Sequence, residues 1–176
     1  MIIASSNLAT NIVIEMVGAN AVTQTMHELG AKDIRVLRGV EDTKAFVKGL
    51  NNTVTAYDLM VIYEKMAKGE IVDQKASQAM IEILLDQRFN TIIPARLPEG
   101  VRVAHKTGNI AGVLHDSGIV FLPDGRKYVL VLLSKDLEDA EGAKTAMAKV
   151  SELLYQHVAG SDQTSKEPEF NGHTNN

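Results

Sequence analysis

Apolar side chains recur at three- and four-residue spacing through the first half of the chain and at two-residue spacing later on. The first helical pattern covers residues 7–17, with Ile12, Ile14 and Met16 among its apolar positions. Ser5 and Ser6 are natural N-cap residues for it, and Gly18 suits its C-terminal end. A second helix fits residues 20–29, with Val22, Met26 and Leu29 on one face and Gly30 as the stop. Residues 31–54 hold no sustained period, and a loop of that length inside a compact domain is more often functional than average. Thr55-Ala56-Tyr57-Asp58 then places an acid three residues after a cap, ahead of a helix that carries Leu59, Ile62, Tyr63 and Met66 and stops at Gly69. Residues 76–87 form another helical pattern, with Met80, Ile83 and Leu84 at helical spacing.

The period then changes. Residues 101–107 alternate in part, Asn109-Ile110-Ala111-Gly112 reads as a turn, and residues 113–121 form a second strand. Pro123-Asp124-Gly125 is a hairpin signal before a third strand over 128–133. Residues 139–158 return to a helical stripe of Ala143, Met147, Val150 and Leu154, suited to covering the sheet. The fold class is α+β: a helical lobe over about residues 5–90, then a three-stranded antiparallel meander and its covering helix over about 100–158. The third strand is apolar on both faces, which marks an interior strand, yet it lies at the edge of this meander. A strand from elsewhere, or self-association through 128–133, is expected to pair it. The segment 159–176 is polar, with Phe170 its one large apolar side chain, and is expected to be a disordered tail.

Composition narrows the function classes. The 176 residues suffice for one domain. Eighteen basic residues against 22 acidic ones give a net charge of -4, which argues against a nucleic-acid footprint. No apolar run approaches the ~18 residues of a membrane-spanning helix. Cysteine is absent, which removes disulfides, thiolate nucleophiles and cysteine-ligated metals. The five histidines show no metal-ligand spacing, and no glycine-rich phosphate loop follows a strand, so neither metal nor cofactor is implied.

Two short motifs could carry chemistry. Lys106-Thr107-Gly108 sits at a strand end, where Lys106 offers positive charge and Thr107 a hydroxyl to an anionic group, and Gly108 permits close approach. Ser5-Ser6-Asn7 opens the first helix; a serine hydroxyl can relay a proton, and an asparagine amide can bind a substrate amide. Taken singly, each has a plainer reading, as a solvated strand end and as a helix cap. His115-Asp116 reads as a hydrogen-bonded pair with a structural role.

Taken together, the motifs resemble the Ser-Asp-Asn and Lys-Thr-Gly elements of the class A β-lactamase-like serine hydrolases. Their order, the long loop between them, the Pro-Asp-Gly hairpin and the last helix all agree with that family. The resemblance runs over residues 2–158, including Arg38-Gly39-Val40-Glu41-Asp42, Asn51-Asn52-Thr53-Val54-Thr55-Ala56 and His115-Asp116-Ser117-Gly118. It implies that Ser5 passes a proton to the leaving nitrogen and Asn7 holds the substrate acylamide. It implies that Lys106 and Thr107 bind the substrate carboxylate, with Gly108 beside them. The resemblance further implies that the backbone N–H of Asn109 supplies half of an oxyanion hole, and that Asn11 supports the loop that carries the deacylating water.

Three departures qualify this. Ser6 stands where such enzymes carry Asp, so local support of the relay is weakened. Val40 counts to the position of the deacylating glutamate and Glu41 lies one residue later, so Glu41 can serve only through a one-residue bulge. No serine in the chain has a lysine three residues later, so the nucleophile motif Ser-x-x-Lys is lacking. The expectation is therefore an incomplete catalytic domain over 1–158, beginning at an internal Met and inactive alone. Its parent reaction is β-lactam hydrolysis through an acyl-enzyme. A related penicillin-binding peptidase or esterase, and a non-catalytic ligand-binding module, stay open. The expected partner is a β-lactam or peptidoglycan-like small molecule. Members of the family work in the periplasm or outside the cell, whereas the N-terminus here has no signal-peptide pattern.

Overall fold

The structure is a computed structural model and describes residues 1–161. Helix α1 (Asn7–Val17) begins where Ser6, in extended backbone, accepts a hydrogen bond from the Ala9 amide at 3.3 Å. That bond satisfies one of the donors a helix start leaves unpaired. Helix α2 (Ala19–Glu28) follows at once. The aperiodic stretch 31–54 holds one short helix, α3 (Thr43–Val47), and a single bridge between Arg35 and Thr53.

Helix α4 (Ala56–Lys68) carries the full reciprocal cap that its sequence suggests. Thr55 Oγ1 accepts from the Asp58 amide at 3.1 Å, and Asp58 Oδ2 accepts from the Thr55 amide at 3.0 Å. Gly69 closes the helix in the left-handed region, where a side chain would be strained. Helix α5 (Gln74–Leu85) starts and ends two residues earlier than the pattern suggests, because Asp73 caps it.

The sheet runs β1 (Arg102–Ile110), β2 (Val113–Phe121) and β3 (Lys127–Ser134), antiparallel and in chain order. Asn109 and Ile110 belong to β1 rather than to the turn, which shrinks to Ala111-Gly112. Among the described residues β3 pairs only with β2, so it is an edge strand. Helix α6 (Ala140–Gly160) extends into the segment expected to be tail; residues 162–176, the rest of that segment, lie outside the described residues. No helix among the described residues is long and apolar enough to cross a membrane.

Strand alternation gives the sheet two different faces. Ala104 and Ile119 face the helical lobe and pack with Tyr63, Met66, Ile81 and Leu84 of α4 and α5. Val103, Leu114, Val120 and Leu130 face the other way, against Ile92, Ile93 and the Met147 and Leu154 stripe of α6. Ile93 and Ile119 are fully buried. Burial of each such side chain contributes roughly 1.5–3 kcal/mol. The sheet is therefore held from both sides, and the Lys-Thr-Gly motif, expected at a strand end, lies inside β1, which pairs on to Ile110.

Candidate active site

Lys106 and Ser5 meet although 101 residues separate them: Lys106 Nζ donates to Ser5 Oγ at 2.9 Å. The strand alternation explains the approach. Lys106 follows Ala104 on the helical-lobe face of β1, and Ser5 sits just before α1 in the same lobe. Ser5 has φ 50, a left-handed backbone that turns the chain immediately before the Ser6 cap. The Lys106 ammonium also donates to the Thr107 carbonyl. Half-burial lowers the Lys106 ammonium from the ordinary lysine value, and the charge of Asp116 opposes this in part. A lysine so placed gives up a proton more readily than a solvated one, which suits a relay through the Ser5 hydroxyl.

Two cavities adjoin the Ser5–Lys106 pair, one at Ser5 and one at Lys106. One, of about 290 Å³, is lined by Ser5, Thr107, Gly108, Asn109, Phe89 and Lys144 among others. Its open mouth combines the hydroxyls of Ser5, Thr91 and Thr107, the β1 backbone and the Lys144 ammonium, a setting for a small anion. Lys144 comes from the first turns of α6 and pairs with Glu141 at 2.6 Å; nothing in its local sequence singles it out. The other cavity, about 340 Å³, is apolar and bounded by Ile2, Leu59, Tyr63 and Met66 beside Lys106.

The remaining sequence candidates fall as follows. Asn7 is the first residue of α1 and is exposed, two positions after Ser5. Ser6 is occupied as the helix cap. Thr107 and Gly108 are half-buried, and Asn109 is exposed opposite Leu114. Asn11 reaches the 31–54 stretch: its Nδ2 donates to the Val40 carbonyl at 3.0 Å, and its Oδ1 accepts from the Val40 amide at 2.6 Å. Gly39 makes room for this grip, since a Cβ there would lie 2.8 Å from Asn11 Oδ1. Thus Asn11 clamps Val40, the residue that counts to the glutamate position. Glu41 is exposed, has φ 63, and its carboxylate makes no hydrogen bond or ion pair among the described residues. No group of three or more metal-ligating side chains occurs among the described residues.

The expected His115–Asp116 pair is replaced by another. Asp116 Oδ1 bonds His105 Nδ1 at 2.8 Å, while His115 Nδ1 lies 3.1 Å from the Ser134 amide on β3. Adjacent strand residues point to opposite faces, which separates His115 from Asp116.

With this geometry in view, comparison with known proteins places the chain. The family model for the beta-lactamase enzyme family matches residues 1–158. The chain belongs to the beta-lactamase enzyme family. Among curated proteins, the extended-spectrum beta-lactamase PER-1 of Pseudomonas aeruginosa is 25% identical over 166 residues, covering 86% of this chain and 53% of PER-1. The solved structure of PBP-A is 31% identical, with a TM-score of 0.82 over 90% of this chain and 58% of PBP-A. A PBP-A mutant solved as an acyl-enzyme complex with penicillin G superposes with the same TM-score and identity, over 59% of its length. A beta-lactamase from Sphaerobacter thermophilus is 28% identical, with a TM-score of 0.77 over 88% of this chain and 58% of that one. The chain thus spans a little over half the length of the beta-lactamase relatives it matches. The expected α+β, β-lactamase-like fold is the one observed, with helical lobe, sheet and covering helix in the expected order.

Proposed function

We propose that this chain supplies the proton-relay and carboxylate-binding side of a β-lactamase-type serine hydrolase site. The single observation that carries the reading is the hydrogen bond from Lys106 Nζ to Ser5 Oγ. It joins the two motifs that were separately ambiguous into one polar pair beside an open cavity. The substrate carboxylate is placed at Lys106 and Thr107, and the leaving nitrogen takes its proton from Ser5. Asn7 holds the acylamide, and the Asn109 N–H with Gly108 forms one side of the oxyanion site. The substrate class is a β-lactam or a peptidoglycan-like acyl donor. The nucleophilic serine is no part of this set, since the 176 residues contain no Ser-x-x-Lys.

A second reading has its own support. Asn11 grips Val40 through both backbone groups, and Glu41 lies outside that grip. A valine cannot act as a general base for water. This favours slow deacylation, the behaviour of a penicillin-binding acyl-transfer protein, over rapid β-lactam turnover. The edge of β3 is further proposed as a pairing edge for a strand of a second chain or segment.

Calorimetric titration of the chain with benzylpenicillin tests the principal reading. Saturable binding that Lys106→Ala weakens at least tenfold is expected; the same curve for both proteins overturns it. Sedimentation velocity tests the β3 edge, with concentration-dependent dimers expected and a strict monomer against it.

A further inference from the structure

The buried His105–Asp116 pair has no part in the proposed chemistry, and both side chains are completely buried. It lies on the α6 face of the sheet, opposite the face that presents Lys106. His105 stands opposite Gly118 in the β1–β2 register, and Asp116 is two residues along, so the two side chains meet diagonally. Gly118 makes this possible, since a Cβ there would lie 2.6 Å from the His105 Cβ.

The hydrogen-bond partners determine how many protons the pair holds. Asn90 Nδ2 donates to the Gln87 carbonyl at 3.1 Å, which turns Asn90 Oδ1 toward His105 Nε2 at 3.0 Å. An amide oxygen only accepts, so Nε2 carries a hydrogen. Asp116 Oδ2 accepts from the Ile93 amide at 2.9 Å, and Oδ1 faces His105 Nδ1 at 2.8 Å. Without a proton between Nδ1 and Oδ1, two lone pairs would face each other in a buried site. The pair therefore holds one proton more than a neutral imidazole beside a carboxylate, and its net charge is zero. Because Asp116 Oδ2 already accepts from the Ile93 amide, the added hydrogen lies between Nδ1 and Oδ1.

We propose that His105 is an imidazolium, and that with Asp116, Asn90 and the Ile93 amide it positions the middle of β1, from which Lys106 projects. Gln87 Nε2 adds a bond to the His105 carbonyl at 3.4 Å. The 86–93 segment is thereby tied to β1 at the residue before Lys106. His105 and Asp116 are positioning residues and touch no substrate. This inference concerns the fold behind the site, so it stands or falls independently of β-lactam binding.

A nitrogen-15 correlation spectrum of the imidazole rings of the whole chain, at neutral pH, tests the charge. Both ring nitrogens of His105 are expected to give the protonated signature. In Asp116→Asn the new amide can donate to Nδ1 and its oxygen can still accept from Ile93. That variant is expected to fold with one protonated nitrogen remaining. A single protonated nitrogen in the unaltered chain, or two in Asp116→Asn, overturns the imidazolium assignment. Hydrogen exchange tests the positioning role, using His105→Gln, which fills similar space. Amides at 106–108 are expected to exchange at least tenfold faster, with α4 amides unchanged; unchanged exchange at 106–108 overturns it. Should His105→Gln fail to fold, Asn90→Ala, which removes the Nε2 acceptor together with the Asn90 bond to the Gln87 carbonyl, carries the same expectation and the same refutation.

Discussion

Asn11→Ala is the sharpest perturbation of the irregular 31–54 stretch. Two hydrogen bonds are lost at once, 2.6 Å and 3.0 Å long, and both end on Val40. Each such bond contributes about 0.5–1.5 kcal/mol net, and a half-buried backbone group left unpaired costs more than an exposed one. The total works out at ~2 kcal/mol, equivalent to a change of about thirtyfold in an opening equilibrium. Neighbouring ties remain: Thr23 Oγ1 accepts from the Val36 amide at 2.8 Å, and Asn52 Oδ1 accepts from the Leu37 amide at 2.8 Å. The stretch should therefore open locally around Val40 without unravelling as far as Val36. Native-state hydrogen exchange reads this directly. The Val40 amide is expected to exchange about ten to a hundred times faster, with the Val36 amide changed by less than about threefold. Asn11→Asp keeps an acceptor for the Val40 amide but sets a carboxylate against the Val40 carbonyl, so it is expected to be no better than alanine. Unchanged Val40 exchange in both variants refutes the claim that Asn11 holds this stretch.

Two further outcomes follow from the packing. Gly118→Ala places a Cβ 2.3 Å from the Ala104 carbonyl oxygen and 2.7 Å from the His105 Cα, both backbone atoms. Relief requires moving β1 against β2, so a loss of about 1–3 kcal/mol in urea denaturation is expected, and a neutral result contradicts the register. Asp58 bears on acid stability. Burial pushes its carboxyl up, but hydrogen bonds from the Thr55 hydroxyl, the Thr55 amide and the Asp33 amide outweigh this and leave it below the ordinary value. A group depressed in the folded state stabilises fully above its unfolded value near 4 and ceases to as pH falls through the folded value. The stability gap between the unaltered chain and Asp58→Asn should therefore be widest at neutral pH and shrink below about pH 4. A gap that is constant down to pH 2 would show that the carboxylate charge is not what matters.

Much of this molecule is legible in its residues because local chemistry sets the element ends. Thr55 and Asp58 form the cap their spacing announces, and Gly18 and Gly69 stop their helices with positive φ. The meeting of Ser5 and Lys106 was accessible only because two weak motifs share one family pattern; neither residue's neighbours predict the 101-residue contact. The His105–Asp116 contact escaped for a definite reason. Sequence adjacency favoured His115, whereas the strand pleat turns His115 away and the β1–β2 register, with Gly118 opposite His105, brings the other histidine in. Register and a missing Cβ are properties of two strands together. The same holds for Asn11, whose partner Val40 lies 29 residues away in a stretch with no periodic signal.

The account rests on one polar junction, the Ser5–Lys106–Thr107 corner as the seat of a β-lactam carboxylate. Amide shift mapping during a benzylpenicillin titration examines it most directly. The predicted result is saturable shifts concentrated at residues 5–7 and 106–109, abolished in Lys106→Ala while the rest of the spectrum stays folded. Shifts confined to other surfaces, or a Lys106→Ala protein that responds identically, contradict the assignment.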